Sequence, residues 1–386
     1  MYIPINATQS SGQLQRRLLD LNFQGNALSN VSLDAAGLVA IAEITAVAKR
    51  TALTGTSVIW DALVLCPGLH RQQSAPELNG GEYPAAAAMT TGYVFRIENP
   101  ATVMFLQKVS ETGHLTRLEV SPLTSPEERT TQSRQKGSWY SREQGYKKKF
   151  TPSVILSSGA RRLSRLLSHR HHPKATRSDW ISSAAYICAA SASPALLVVF
   201  IVMGDWWGVF SLLVLMVARL CNVVVIRQRC REVGWKGASE PGVRGDLLVL
   251  LSQDRWVRLQ GAVDDLKAVT SGQWMRDRTF AEDILTALAT LLVYLDTTLV
   301  SNVSKFGQLL LLLLLIVSAG LLSVTNGTTK EMHMHGRVIT VKGPPRKYAR
   351  RRNLADELVQ ETKRKDWALR LGMIVDDAAG DAQVVL

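Results

Sequence analysis

The sequence predicts an α-helical multi-pass membrane protein: about four transmembrane helices in two hairpins, with small mixed α/β cytosolic segments. Three observations predict it. Two almost continuous apolar blocks, 181–226 and 284–325, each have about twice the ~20 residues a helix needs to cross a ~30 Å hydrocarbon core. Strongly basic segments flank and separate these blocks. The turns inside the blocks are nearly uncharged, with Asp205 in one and Lys305 in the other.

The first block is interrupted by Gly204-Asp205-Trp206-Trp207-Gly208, which places helices near 181–203 and 206–226. The second breaks over 301–305, giving helices near 284–300 and 306–325. Bilayer lipid offers the backbone no hydrogen-bond partners, so such segments must be helical. The leucine run within Gln308–Leu322 argues for lipid contact rather than the interior of a large soluble helical protein. The helix at 284–300 is the shortest and contains Asp296.

Charge sets the orientation. The chain carries a net charge of +13. Residues 129–177 hold thirteen Lys/Arg and one acid, Glu143; residues 227–282 hold ten Lys/Arg, and the tail after Thr325 holds twelve. Basic flanks stay in the cytosol, and four spans put all three segments there with both termini. Trp180 and Trp206-Trp207 then mark opposite interfaces. Met1 is followed by the polar stretch Asn6–Gln15, not by the apolar run of a cleavable leader.

The stretches Ala35–Ala48 and Ala52–Leu65 are interrupted by Glu43, Lys49, Arg50 and Asp61, and read as packed or amphipathic helices. A fifth span there is the alternative. It would move the N-terminus outside and open the sequons at Asn6 and Asn30 to glycosylation. Asn302 lies outside in either arrangement, close to the membrane. Cys188 and Cys221 fall in spans, Cys66 and Cys230 stand alone, and no CxxC spacing exists.

Between these blocks the chain divides into a mixed region (1–120), a basic linker with an amphipathic helix (121–177), a cytosolic loop (227–282) and a basic cytosolic tail (326–386). The mixed region offers strand-like runs at Gly92–Glu98, Val103–Val109 and Leu115–Val120, broken at Asn99-Pro100 and Thr112-Gly113. The loop reads as a hairpin, Asp246–Leu251 and Arg255–Leu259, around Ser252-Gln253-Asp254, then a short helix from Ala262. In the tail, a strand over His333–Lys342 is broken by Gly343-Pro344-Pro345. A helix capped by Asn353, with Asp356 and Glu357 in its first turn, runs toward Leu371. The loop hairpin and the tail strand are expected to share one small sheet.

Functional candidates follow from charge in unusual places. In Val154–Ser168, Leu156, Ala160, Leu163 and Leu167 recur at helical spacing beside Arg161, Arg162 and Arg165, with Lys147, Lys148 and Lys149 upstream. This pattern suits a helix lying on an anionic leaflet, where each basic residue contributes roughly 1 kcal/mol. The plainer alternative is a solvated charge run that only enforces topology. Ser164 follows Arg161-Arg162 as basophilic kinases prefer, which makes it a phosphorylation candidate.

Charges inside spans are costly, which singles out Arg219 and Asp296. Arg219 lies roughly 10 Å from the cytosolic end of its helix and Asp296 roughly 6 Å from the outer end of its own. They are therefore not expected to pair, and each should reach its own interface or a polar cleft.

In Met332-His333-Met334-His335, a strand puts the histidines on one face and the methionines on the other, which argues against one metal site. Asp264 and Asp265 are adjacent and diverge on a helix. No GxSxG, HExxH, P-loop or GxGxxG occurs. No catalytic residue, metal ligand or cofactor is assigned, and no nucleic-acid partner is expected of a chain held in a membrane.

The stretches Gly245–Gly261, Ala262–Met275, Leu291–Ser301, Met334–Tyr348 and Asp366–Val375 resemble a family of uncharacterised fungal integral membrane proteins. The resemblance implies about four spans and no known activity, and it carries over no site residue. The reading is a membrane-anchored scaffold or interaction protein, alone or as a homo-oligomer, binding anionic lipid or protein partners through basic cytosolic segments. The alternatives are a small transporter or channel-like oligomer using Asp296, and an accessory membrane enzyme of fungal metabolite biosynthesis.

Overall fold

The computed structural model describes residues 39–42, 44–72, 77–123, 177–231 and 237–375. In chain order its helices are α1 (Ala46–Thr54), α2 (Pro100–Val109), α3 (Arg177–Met203), α4 (Trp206–Arg229), α5 (Val263–Thr270), α6 (Phe280–Leu299), α7 (Lys305–Thr328), α8 (Arg351–Thr362) and α9 (Asp366–Arg370). Its strands are β1 (Ala85–Ala88), β2 (Val94–Arg96), β3 (His114–Pro122), β4 (Arg244–Leu251), β5 (Arg255–Ala262), β6 (Glu331–Met334), β7 (Arg337–Val341) and β8 (Arg346–Lys347). Lys147, Lys148, Lys149, Arg161, Arg162, Ser164, Arg165, Asn6 and Asn30 lie outside the described residues.

The four helices α3, α4, α6 and α7 are long and apolar enough to cross a membrane. Their ends lie within a few residues of the bounds read from hydropathy. Packing between them crosses the hairpins: α7 runs along α3 and α6 along α4, more closely than α3 meets its own partner α4. Residues 44–72 fill the space that this exchange leaves. Among the described residues this segment has no helix of spanning length. Only Ala46–Thr54 is α-helical there, followed by 3-10 turns at Ile59–Leu63 and Leu69–Arg71. Of the two helices expected here, Ala35–Ala48 is largely helical where it is described, with 35–38 and 43 outside the described residues, whereas most of Ala52–Leu65 is a 3-10 turn and irregular backbone. Gly55 (φ 68°) ends α1 in the left-handed region, where a side chain would collide with the His333 carbonyl.

The strands form one mixed eight-stranded sheet, ordered β2-β1-β4-β5-β3-β7-β6, with β8 also pairing β3. All pairs are antiparallel except β3 with β5. The loop hairpin β4–β5 turns through Gln253 (φ 60°) and Asp254 (φ 51°), as its sequence predicts. It does share a sheet with the tail, but β3 from the first region lies between them. Alternating residues face two layers. Val249, Leu251, Val257 and Leu259 meet α1, α2, α5 and the end of α4, whereas Leu248 and Trp256 meet α8 and α9.

Three local expectations change. Val103–Val109 is helix, not strand, because Asn99 Oδ1 accepts from the Ala101 and Thr102 amides (3.1 and 3.3 Å) and Pro100 occupies the first turn. The dipeptide is a helix start rather than a break between strands. His333–Lys342 is a hairpin, not one strand, because His335 (φ 47°) and Gly336 (φ 75°) form its turn. The last long helix begins at Arg351 and stops at Thr362, where Lys363 is left-handed (φ 58°), so Asn353 lies inside it.

Candidate functional site

Irregular backbone packed among helices must find hydrogen-bond donors, because the neighbouring helical backbone is already paired and cannot supply them. Here side chains of the long helices do so. Asn222 Nδ2 donates to the Leu69 carbonyl at 2.7 Å, and Arg219 Nε to the Asp61 carbonyl at 3.1 Å. From α6, the Thr290 hydroxyl lies between the His70 carbonyl (3.1 Å) and the Thr286 carbonyl of its own helix (3.0 Å), which share its one hydrogen; from α7, Asn326 Nδ2 donates to the Ala46 carbonyl in the first turn of α1 at 2.7 Å.

The Asp61 carboxylate is the centre of this cluster. Tyr186 Oη donates to Oδ1 at 2.5 Å, and the Val58 amide to Oδ2 at 2.7 Å. The Arg50 guanidinium lies over the Tyr186 ring, 5.2 Å from its centroid. Burial holds Arg50 below the ordinary arginine range, and the nearby Asp61 and Tyr186 oppose that shift.

Arg219 is 3% exposed and points into this cluster rather than toward water. Of the two placements expected, an interface or a polar cleft, Arg219 lies in polar surroundings inside the bundle, where the carbonyls of the inserted segment are nearer to its donors than water is. Its Nη1 has no hydrogen-bond partner among the described residues. Asp296 is 1% exposed, near the opposite end of the bundle, with the Ser211 hydroxyl of α4 beside it. It too is enclosed by protein rather than reaching an interface. Its Oδ1 has no partner among the described residues. Ser211 precedes Arg219 by eight residues, about 12 Å along the helix, and the two charges do not pair.

Beyond Asp296 the two turns are tied together. Asp205 Oδ2 accepts from Ser304 Oγ (2.6 Å) and the Ser304 amide (3.1 Å), while Oδ1 caps α4 at the Gly208 amide (3.0 Å). Asn302 is exposed in the neighbouring turn.

At the sheet, charge meets charge. Arg258, 3% exposed, bridges Asp246 (2.6 Å) and Glu361 (2.8 Å), joining β5 to β4 and α8. Burial disfavours its charge, but hydrogen bonds from it to Asp246 and Glu361 outweigh that and raise its pKa. The bond from Arg258 holds Glu361 below the usual carboxylate range, against a smaller effect of burial. Asp264 and Asp265 do diverge. Asp264 accepts from Ser239 Oγ and the Glu240 amide, and Asp265 pairs with Arg337 at 2.9 Å. Met332 and Met334 are buried in the sheet core while His333 faces outward.

The sequence reading missed Arg50, Asp61, Tyr186 and Asn222 as one cluster. A signal was present: Arg219 and Asn222 stand at i and i+3, on one helix face. Arg219 was weighed only against Asp296, whereas the partners of both side chains lie in the segment 44–72, outside the four long helices. Comparison with protein-family models, curated proteins and solved structures finds no match.

Proposed function

We propose that this chain is an integral membrane protein crossing the bilayer four times in two hairpins. Its sheet and basic segments are cytosolic and act as a membrane-anchored scaffold for anionic lipid or protein partners. The sheet is the observation that carries this reading. Its strands come from 85–122, 244–262 and 331–347: before, between and after the hairpins. Strands hydrogen-bonded in one sheet must share one side of a bilayer, so each hairpin leaves and returns on that side. Exposed apolar residues on all four helices, Val202, Leu213, Leu291 and Leu313 among them, support lipid contact. Residues 129–177 contribute twelve of the thirteen net positive charges, which makes that stretch the natural contact with an anionic leaflet.

Accessibility tags test the topology. Tags after Leu386, within 129–177 and within 227–282 should all be cytosolic, and a tag at Asn302 external. An external 227–282 loop overturns the reading, and a glycan on Asn6 or Asn30 adds a fifth span. For the lipid contact, a peptide covering Lys147–Arg170 should bind anionic vesicles well above neutral ones. Phosphorylation at Ser164 should weaken that binding by about 1–2 kcal/mol, as about two negative charges offset neighbouring arginines. Equal binding to both vesicle types removes the surface helix, and equal binding of both peptides removes the switch.

The buried Asp296 carboxylate with an unpartnered oxygen favours a second reading, a cation or proton transporter. Asp296→Asn should then abolish transport while leaving insertion intact.

A further inference from the structure

Where the sheet meets the ends of the helices, a cleft of about 370 Å³ is lined by the segment from Glu77 to Tyr83, Glu98 before α2, Arg229 at the end of α4 and residues 273–278 before α6. That size suits a small polar ligand. Its charges are only partly matched by protein. Among the described residues, no ion pair takes up the carboxylates of Glu77 or Glu98, while Asp277 lies near enough to Arg229 to favour its charge. Arg229 and Arg278 lie close enough to repel one another, and the nearby carboxylates of Glu282 and Asp277 offset part of that repulsion at Arg229. Arg278 also pairs with Asp283 at 3.1 Å, and Arg229 Nε donates to the Arg276 carbonyl at 2.7 Å.

Two lining side chains add an independent sign of a missing ligand. Asn79 is fully buried and Trp274 is 2% exposed, yet Asn79 Oδ1 and Trp274 Nε1 have no hydrogen-bond partner among the described residues. One is an acceptor in need of a donor and the other a donor in need of an acceptor. Leaving such atoms unpaired is costly.

We propose that this cleft binds a phosphoethanolamine group, with its phosphate toward Arg229, Arg278 and Trp274 Nε1 and its primary ammonium among Glu77, Glu98, Asp277 and Asn79 Oδ1. A quaternary ammonium has no N–H to give Asn79 and fits less well. A metal ion does not fit: among the described residues no three His, Cys, Asp or Glu side chains are placed to hold one. The inference rests on the four-span reading for its choice of a lipid source. On that reading the cleft lies at the height of the cytosolic headgroups. Phe280 and Ile284, 81% and 57% exposed, then line the path of the acyl chains.

The test uses the full chain in phosphatidylcholine nanodiscs with or without phosphatidylethanolamine, and reads hydrogen exchange over 77–83 and 273–278. Phosphatidylethanolamine should slow exchange in both segments. In detergent, soluble glycerophosphoethanolamine should do the same at higher concentration. Removing two carboxylates (Glu77→Gln with Glu98→Gln) should weaken the apparent affinity roughly tenfold or more. Trp274→Phe, which keeps the ring packing, should weaken it less. Equal exchange in the two nanodiscs with no response to the soluble headgroup overturns the proposal. So does full protection in the double variant. Protection by the soluble headgroup alone supports the cleft and replaces the lipid with a water-soluble phosphoamine. Extraction of the chain by alkaline carbonate would sink the four-span reading, while the soluble arm still decides the cleft.

Discussion

The two ends of this molecule solve the same problem differently. At the sheet, buried charge is met by opposite charge, as where Arg258 lies between Asp246 and Glu361. In the helical bundle, four side-chain donors, Asn222, Arg219, Thr290 and Asn326, serve backbone carbonyls of the segment 44–72. The difference follows from what each end has to bury. Strands pair their own backbone and leave only side chains to satisfy. An irregular segment among apolar helices leaves carbonyls, which need neutral or cationic donors and gain nothing from carboxylates. The lesson is that a polar residue in an apolar helix can be there for the backbone beside it, with no substrate implied.

Breaking the charged node should have the largest effect. Arg258→Met strands two carboxylates. The cost should be about 3 kcal/mol, the low end for an unpaired buried charge, because half-exposed Glu361 can turn toward water. A lowered midpoint of thermal unfolding in detergent checks it, and no change would show that the node contributes little.

The same node predicts a pH dependence. Glu361 sits below its ordinary value of 4.5 in the fold. Its contribution is therefore present above pH 4.5 and fades as pH falls through its folded value. Acid should loosen α8 from the sheet first, read by hydrogen exchange over 351–362, and Arg258→Met should flatten that response.

On the bundle side, Asn222→Leu leaves the Leu69 carbonyl without its donor and should cost about 1–3 kcal/mol. The effect should show as faster exchange or proteolysis within 64–72, with the sheet unaffected. If the sheet loosens equally, the two ends are not separable in the way described.

The smallest effect is expected at the turns. Asp205→Ala removes the α4 cap and the link to Ser304, at a cost of about 1 kcal/mol. Cysteines placed at Asn302 and Trp206 should then crosslink less efficiently than in the parent chain. Unchanged crosslinking would mean that helix packing alone holds the turns together.

Apolar length and charge asymmetry, both local properties, made the four long helices legible to within a few residues. The hairpin turn at Gln253-Asp254 was legible for the same reason, whereas the turn at His335-Gly336 was hidden in a run that alternates like one strand. Strand runs were read less well: Pro100–Val109 is apolar enough for either state, and the Asn99 cap with its following proline decides for helix.

What the sequence determined by itself was therefore the four long apolar helices and the β4–β5 hairpin. Only the tertiary structure decided that segments 85–122, 244–262 and 331–347 become one sheet, because strand partners far apart in sequence leave no trace in local pattern. It likewise decided that Arg219 faces Asp61, 158 residues away. Burial that deep depends on which helices meet, and the exchange of partners between the two hairpins is a property of packing, not of any single segment.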